Sequence, residues 1–212
     1  MKIYALGGLG ADKRTFTYFN LKNHELVCLD WIVPLTDETL EQYAVRYNQL
    51  IPSGQHLALL GVSFGGMIMT EVAKLRNPEH TILISSVTTA SELRWVYRAA
   101  GKLNLDKLVP YSFLVKSGRV AHYLFGVKLM KDKELLKSIL DDMDPRFLRW
   151  AIRVILSWDN EKPIHALRIH GTSDRVLPIS KDKITHPFKK GGHFIIVNEA
   201  ESISKIIDDL KG

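Results

Sequence analysis

Leu57-Ala58-Leu59-Leu60-Gly61-Val62-Ser63-Phe64-Gly65-Gly66-Met67 is the stretch around which the rest of this 212-residue chain is arranged. An apolar run enters Gly-x-Ser-x-Gly, and Phe64 to Arg76 then reads as a helix. A strand that turns sharply into a helix pushes the serine hydroxyl into a cleft, the layout of a nucleophile elbow. Such a turn strains the serine backbone, and glycine two residues to either side, here Gly61 and Gly65, lets its arms approach. The helix behind Ser63 aims its free N–H groups and positive dipole end at the same spot. Chance alone gives the five-residue pattern in roughly 7% of chains this long, and a plain turn with a solvated serine has the same letters. The remainder of the chain has to decide.

At 212 residues with 46% hydrophobic content, the chain suits one compact α/β unit carrying an insertion, with a core large enough to need no staple. Its one cysteine, Cys28, lies in the apolar run Leu26-Val27-Cys28-Leu29 and reads as a buried inert thiol. No apolar run approaches the roughly 18 residues of a membrane span. Met1 to Gly8 has too short an apolar stretch for a signal peptide, so a cytoplasmic, reducing setting is expected. Net charge is +6, and thirteen Lys/Arg against seven Asp/Glu between Thr89 and Trp158 hold the whole surplus. That patch either attracts an anionic ligand or is simply a solvated helical face. There is no Gly-Lys-Ser/Thr phosphate loop and no metal-spaced His/Cys cluster. Neither a cofactor, a metal, a nucleic acid nor a membrane is expected as a partner.

Taken in order, Lys2 to Gly8 is a buried strand ending in Gly7-Gly8-Leu9-Gly10, and His24 to Trp31 is a second strand closed by Pro34. Asp37 to Ile51 is helical, capped by Thr36 or Asp37, with Leu40, Tyr43, Ala44, Tyr47 and Leu50 on one face. Leu57 to Val62 is the third strand, Asn77-Pro78 ends the helix after Ser63, and Thr81 to Ser85 is the fourth strand. Alternating strands and helices imply an α/β fold, a mostly parallel sheet flanked by helices. From Thr89 to Trp158 the pattern turns helical. Asp132 to Met143 is amphipathic, and Asp144-Pro145 opens a helix from Arg146 to Trp158 whose wide apolar stripe must be buried on more than one side. The expected organisation is a core of residues 1–88 and 159–212 with a helical cap over 89–158. The α/β rhythm resumes at Ala166 to Gly171, followed by a short strand near Lys183 to Phe188. A closing helix runs from Ile195 to Leu210, at least from about Glu199.

A serine hydroxyl becomes a nucleophile only when a base takes its proton, and a third group must orient that base. Asp174 lies in the turn after the strand ending His170-Gly171, and His193 lies in the loop before the closing helix. Loops at the carboxyl ends of parallel strands face one side of a sheet, so Ser63, Asp174 and His193 can converge there in the order Ser, Asp, His. Taken singly, Asp174 is an ordinary turn residue and His193 an ordinary surface histidine. The other histidines are less well placed, with His170 at the end of a strand and His186 before a proline. Developing negative charge needs two backbone N–H donors. Phe64, directly after the serine, supplies one, and Leu9 in the glycine-rich loop after the first strand supplies the other.

These residues resemble a small member of the α/β-hydrolase superfamily, the esterase and lipase type with a helical cap. The resemblance spans nearly the whole chain. It rests on Gly7-Gly8-Leu9-Gly10 followed by Phe16, on Gly61-Val62-Ser63-Phe64-Gly65-Gly66, on His170-Gly171-Thr172-Ser173-Asp174-Arg175-Val176-Leu177-Pro178, and on Gly192-His193-Phe194. The most specific part is His-Gly with Asp three residues on and then a hydrophobic residue and Pro, the way this family presents its acid. Three departures stand out. Many members have His-Gly where Gly7-Gly8 stands, the antiparallel strands that usually open the fold are absent, and the stretch from Asp174 to His193 is short. Ser63 also argues against dehalogenases and epoxide hydrolases, which carry aspartate at the elbow. The resemblance implies a serine hydrolase that cleaves a carboxylic ester or thioester through an acyl-enzyme on Ser63. Its partner would be a small-molecule acyl compound, with an anionic or carrier-linked group as an option beneath a cap holding Trp95, Tyr97, Tyr111, Phe113, Tyr123, Phe125 and Trp150. The oligomeric state is not written in the sequence.

Two other readings compete. One is a hydrolase fold that only binds a ligand. The other is a dinucleotide-binding oxidoreductase, since Gly8-x-Gly10 follows a strand and Asp30 ends the next one. Lys13 stands where that fingerprint needs its third glycine.

Overall fold

The computed structural model describes residues 1–53, 56–102 and 118–211. Six strands form one sheet in which every pairing is parallel: β1 (Lys2–Leu6), β2 (Glu25–Leu29), β3 (Leu57–Val62), β4 (His80–Ile84), β5 (Leu167–Gly171) and β6 (His186–Phe188). Their order across the sheet is β2-β1-β3-β4-β5-β6. From β1 the chain steps outward to β2, then crosses back to pair β3 on the other side of β1. The loops leaving β1 and β3 therefore diverge at a switch point, the place in such sheets where ligand crevices form at the carboxyl ends of the strands. Ser63 leaves β3 at that point, and Gly7 to Asp12 leave β1 beside it.

Alternation along the strands divides the core into two layers. Tyr4, Leu6, Leu57 and Leu59 face one side, against α1 (Leu40–Leu50) and α2 (Phe64–Arg76). Ile3, Ala5, Ala58, Leu60, Val62, Ile82 and Ile84 face the other, where Ile195, Ile196, Ile203 and Ile207 of the C-terminal segment close over them. Every residue of β3 is buried, so the nucleophile strand is fixed from both faces.

Among the described residues, four α-helices lie between β4 and β5: α3 (Trp95–Lys102), α4 (Gly118–Phe125), α5 (Met130–Asp141) and α6 (Pro145–Ser157). Asn160 ties the start of this insertion to its end. Its carbonyl accepts from Ala90 N–H at 2.7 Å, and its side-chain amide donates to Thr88 O at 2.8 Å. α6 has the N-cap and first-turn proline expected, since Asp144 accepts from the amides of Arg146 and Phe147. Its apolar stripe is buried, and two indole N–H groups reach core acceptors: Trp150 to Glu38 O and Trp158 to Glu71 Oε1, both at 2.9 Å. None of the helices described is long and apolar enough to cross a membrane.

Several element ends differ from the sequence reading. α1 begins at Leu40, capped by Thr39 in a reciprocal box with Gln42, and not by Thr36 or Asp37. Asp37 instead turns through φ 56°, while the Glu38 carboxylate takes the amide of Leu35 and the guanidinium of Arg46. α5 starts and stops two residues early, which frees Met143 to lie over Gly10. The closing helix is broken at Glu199 into α7 (Ile195–Asn198) and α8 (Ala200–Asp208). β6 is three residues long and contains Pro187, whose missing N–H suits an edge strand.

A buried ion pair locks the entry to the insertion onto the sheet. Arg168 on β5 and Glu92, with side chains 10% and 4% exposed, make a two-pronged contact at 2.8 Å on both prongs. Burial opposes the charge on Glu92, but hydrogen bonds from Arg168 and the Thr88 amide outweigh it and hold its carboxyl below the usual range. Arg168→Met strands that carboxylate with Lys183, 3.2 Å away, as its one remaining cation among the described residues. The expected loss of stability at pH 7 is about 3 kcal/mol, the low end for breaking a buried pair. The lowered folded-state value fixes the sign with pH. The pair's contribution is complete above the unfolded carboxyl value of about 4.3 and fades as pH falls through the folded one. Denaturant melts of wild type and Arg168→Met should therefore differ more at pH 7 than at pH 4; an equal gap at both would remove the ion pair as the cause.

Candidate active site

Ser63 sits at φ 52° and ψ −119°, a conformation that a non-glycine residue holds only under constraint from its surroundings. The constraint is visible. Ser63 N–H donates to Ile84 O at 2.9 Å, and its carbonyl accepts from Ser86 Oγ–H at 2.7 Å as well as from Gly66 N–H at 2.9 Å. Gly61 and Gly65 are required because the backbones meet. A Cβ on Gly61 would strike Gly66 Cα, and one on Gly65 would strike Gly7 O and come within 2.6 Å of Leu6 O. The strand-turn-helix read from the sequence is therefore an elbow pressed directly against the end of β1.

The loops after β3, β5 and β6 bring Ser63, Asp174 and His193 together at one edge of the sheet. His193 Nε2 lies 2.8 Å from Ser63 Oγ, and His193 Nδ1 lies 2.7 Å from Asp174 Oδ2. A carboxylate can only accept, so Nδ1 carries the proton and Nε2 is left as an acceptor for the serine hydroxyl. The Asp174 side chain is fully buried and that of His193 is 4% exposed. Burial pushes against the Asp174 charge, but the charge of His193 and hydrogen bonds from His170 and His193 prevail. Its carboxyl lies well below the usual range. Asp174 Oδ1 also accepts the amides of Val176 and Leu177, at 2.8 and 2.9 Å. On the cap side the Phe125 ring stands edge-on to the His193 imidazole, centroids 5.2 Å apart at 83°.

Phe64 follows the serine and begins α2, so its N–H has no partner inside the helix; Leu9 lies in the loop after β1, where a Cβ added to its neighbour Gly8 would stand 3.7 Å from Ser63 Cβ. Neither amide makes a hydrogen bond among the described residues. Trp31 holds the two halves together, donating its indole N–H to Ala11 O at 3.0 Å while its ring stacks on Phe64, 5.4 Å apart at 11°. Sequence reasoning missed Trp31, Ser86 and His170. Only His170 has a signal in the sequence, its place in His-Gly-x-x-Asp, a pattern that presents the acid but does not show that the histidine touches it. His170 Nε2 lies 2.8 Å from Leu177 O and 3.1 Å from Asp174 Oδ2.

Other expectations meet mixed outcomes. Tyr111 and Phe113 lie outside the described residues. Trp95 and Tyr123 face solvent at 77% and 64% exposure and Trp150 is buried in the core; among the described aromatics of the cap, Phe125 contacts the site histidine. Part of the cap's positive charge is neutralised locally, by Arg146 on Asp144, Arg153 on Asp37 and Lys137 on Asp141. The dinucleotide fingerprint needs a helix opening at Gly8-x-Gly10, whose N-terminus would hold the pyrophosphate. Here the loop leads into a four-residue 3-10 turn, Lys13–Phe16, capped by Asp12, and Asp30 is solvent-exposed. A groove of about 610 Å³ lined by Asn77, Thr81, His165 and Thr185 lies at the amino ends of β4 and β5, the opposite edge from Ser63.

Compared by sequence, the chain matches no protein-family model and no curated protein. Compared by structure, it is similar to an esterase from Exiguobacterium antarcticum, with a TM-score of 0.72 and 18% identity over 98% of this chain and 90% of that one. A hydrolase from Oleispira antarctica matches with a TM-score of 0.72 and 12% identity, covering 97% of this chain and 89% of that one. A thermophilic esterase from Thermogutta terrifontis gives 0.68 and 13%, over 98% and 88%. Likeness at such identities speaks for architecture and leaves chemistry to the site. The parallel sheet, the helices inserted between β4 and β5, and these likenesses give the chain the α/β-hydrolase fold with a helical cap.

Proposed function

We propose that this protein is a serine hydrolase that cleaves a carboxylic ester or thioester of a small molecule. The observation that carries the reading is the unbroken line from Ser63 Oγ through His193 to Asp174, with contacts of 2.8 and 2.7 Å. Ser63 Oγ attacks the acyl carbon as His193 Nε2 takes the hydroxyl proton, and Asp174 stabilises the imidazolium that forms. The carbonyl oxygen becomes an oxyanion that accepts from the amides of Leu9 and Phe64. Collapse expels the alcohol or thiol, which leaves with the proton from His193. Water then attacks the acyl-enzyme with His193 again as base, the acid is released, and Ser63 regains its proton. In this reading residues 1–88 and 159–212 form the catalytic core and 89–158 the cap.

A fluorophosphonate probe should label the purified protein, with the adduct mapped to Ser63 by mass spectrometry. A panel of short, long and aromatic acyl esters and thioesters should show turnover of at least one member. A protein that neither reacts with the probe nor turns over any ester, yet binds such compounds, would be a ligand-binding use of the fold.

A further inference from the structure

Asp174 has more partners than a triad acid needs. Its Oδ1 takes two backbone amides, and its Oδ2 faces two imidazoles, His193 Nδ1 at 2.7 Å and His170 Nε2 at 3.1 Å. A carboxylate offers about four lone-pair sites, and here three accept hydrogen bonds while His170 stands beside the fourth. The protonation of His170 is fixed by a second neighbour. Its Nε2 also lies 2.8 Å from Leu177 O, which can only accept, so Nε2 must carry hydrogen. That N–H is directed at Leu177 O, with Asp174 Oδ2 beside it at 3.1 Å. His170 is 1% exposed and sits near the end of β5, whereas Asp174 is on the loop that follows.

We propose that His170 is a positioning residue for Asp174: its Nε2–H fixes the rotamer of the carboxylate and competes with His193 for the same oxygen. The proposal rests on the hydrolase reading for its kinetic consequence but not for its electrostatic one. A hydrogen bond into Oδ2 draws charge from the oxygen that faces His193 Nδ1 while holding that acceptor in place. Few other described groups share this field. The Tyr97 hydroxyl donates to Val176 O at 3.1 Å, and Asp174's charge is among the influences that raise its pKa, after burial. Arg94 reaches the carbonyl of Arg175, and the Arg175 guanidinium turns outward onto the Tyr123 ring, 4.3 Å from its centroid.

The test uses the whole protein labelled with ¹⁵N-histidine. In wild type, His170 should keep the Nε2–H tautomer throughout its neutral range; an Nδ1–H tautomer overturns the proposal without reference to any variant or activity. In His170→Leu the Nδ1–H proton signal of His193 should move downfield of its wild-type position, because Asp174 Oδ2 then serves one imidazole alone. His170→Gln, which can place an N–H near the same point, should return the signal toward wild type. On the best ester of the panel, His170→Leu should lower kcat about 10- to 100-fold with KM nearly unchanged. A folded His170→Leu whose His193 signal stays at its wild-type position, with only its melting temperature reduced, makes His170 a core histidine and nothing more. Should the hydrolase reading itself fail, so that no ester is turned over, the tautomer and the Nδ1–H signal still decide this one.

Discussion

Ser63→Ala is expected to lower kcat/KM for the best ester by about five to six orders of magnitude while the protein stays folded. The size follows from how such groups work together, since loss of a serine nucleophile alone costs about 10⁶ in kcat in well-studied triads. The expectation that the fold survives follows from this structure. The elbow is held through the backbone of residue 63, by Ile84 O, Ser86 Oγ and Gly66 N–H, and none of these contacts involves the side chain that is removed. Alanine at φ 52° meets the same backbone strain that serine already bears. His193 loses one partner and keeps Asp174. The variant should therefore melt within a few degrees of wild type, bind substrate with comparable affinity and fail to react with a fluorophosphonate. Turnover within tenfold of wild type would place the nucleophile elsewhere. Ser86 would not be an obvious replacement, because its hydroxyl is committed to the Ser63 carbonyl.

What the sequence made legible were features encoded by neighbours in the chain. The run Leu57 to Met67 carries its own strand, turn and helix because burial on both faces, Gly61 and Gly65 all lie within a few residues of Ser63. Asp174 and His193 were findable because a parallel sheet delivers the loops after its strands to one edge, whatever lies between them. The contacts that escaped are long-range and set by packing. Nothing local to Trp31 says that it will bridge Ala11 and Phe64, and nothing near Glu92 announces a partner at Arg168. The start of α1 was missed for a different reason. Thr36, Asp37 and Thr39 are all competent caps, and the choice falls to Thr39 because Gln42 completes its box while Glu38 is drawn to Arg46. The break at Glu199 likewise has no Gly or Pro to mark it.

Asp174→Asn should cost about 10⁴-fold in kcat/KM, and the hydrogen bonds around this carboxylate say why an isosteric amide is so poor a substitute. Two backbone N–H groups, from Val176 and Leu177, point at Oδ1. The asparagine must place its carbonyl oxygen there, since its NH₂ would meet donors head-on. That orientation puts the NH₂ where Oδ2 was, facing His193 Nδ1. The imidazole can pair with it only by moving its own proton to Nε2, which lies 2.8 Å from Ser63 Oγ and then cannot accept the serine proton. The general base is lost through the wrong tautomer, with the geometry preserved. His170 makes the outcome sharper here, because its Nε2–H, fixed by Leu177 O, also faces the new NH₂. The variant should therefore be less stable than wild type as well as slow, and fluorophosphonate labelling should slow along with ester turnover. Asp30→Asn is the matched control: an exposed carboxylate after β2, outside this network, whose loss should leave kcat/KM within about tenfold. If Asp30→Asn proved crippling while Asp174→Asn stayed active, the acid would have been assigned to the wrong strand end.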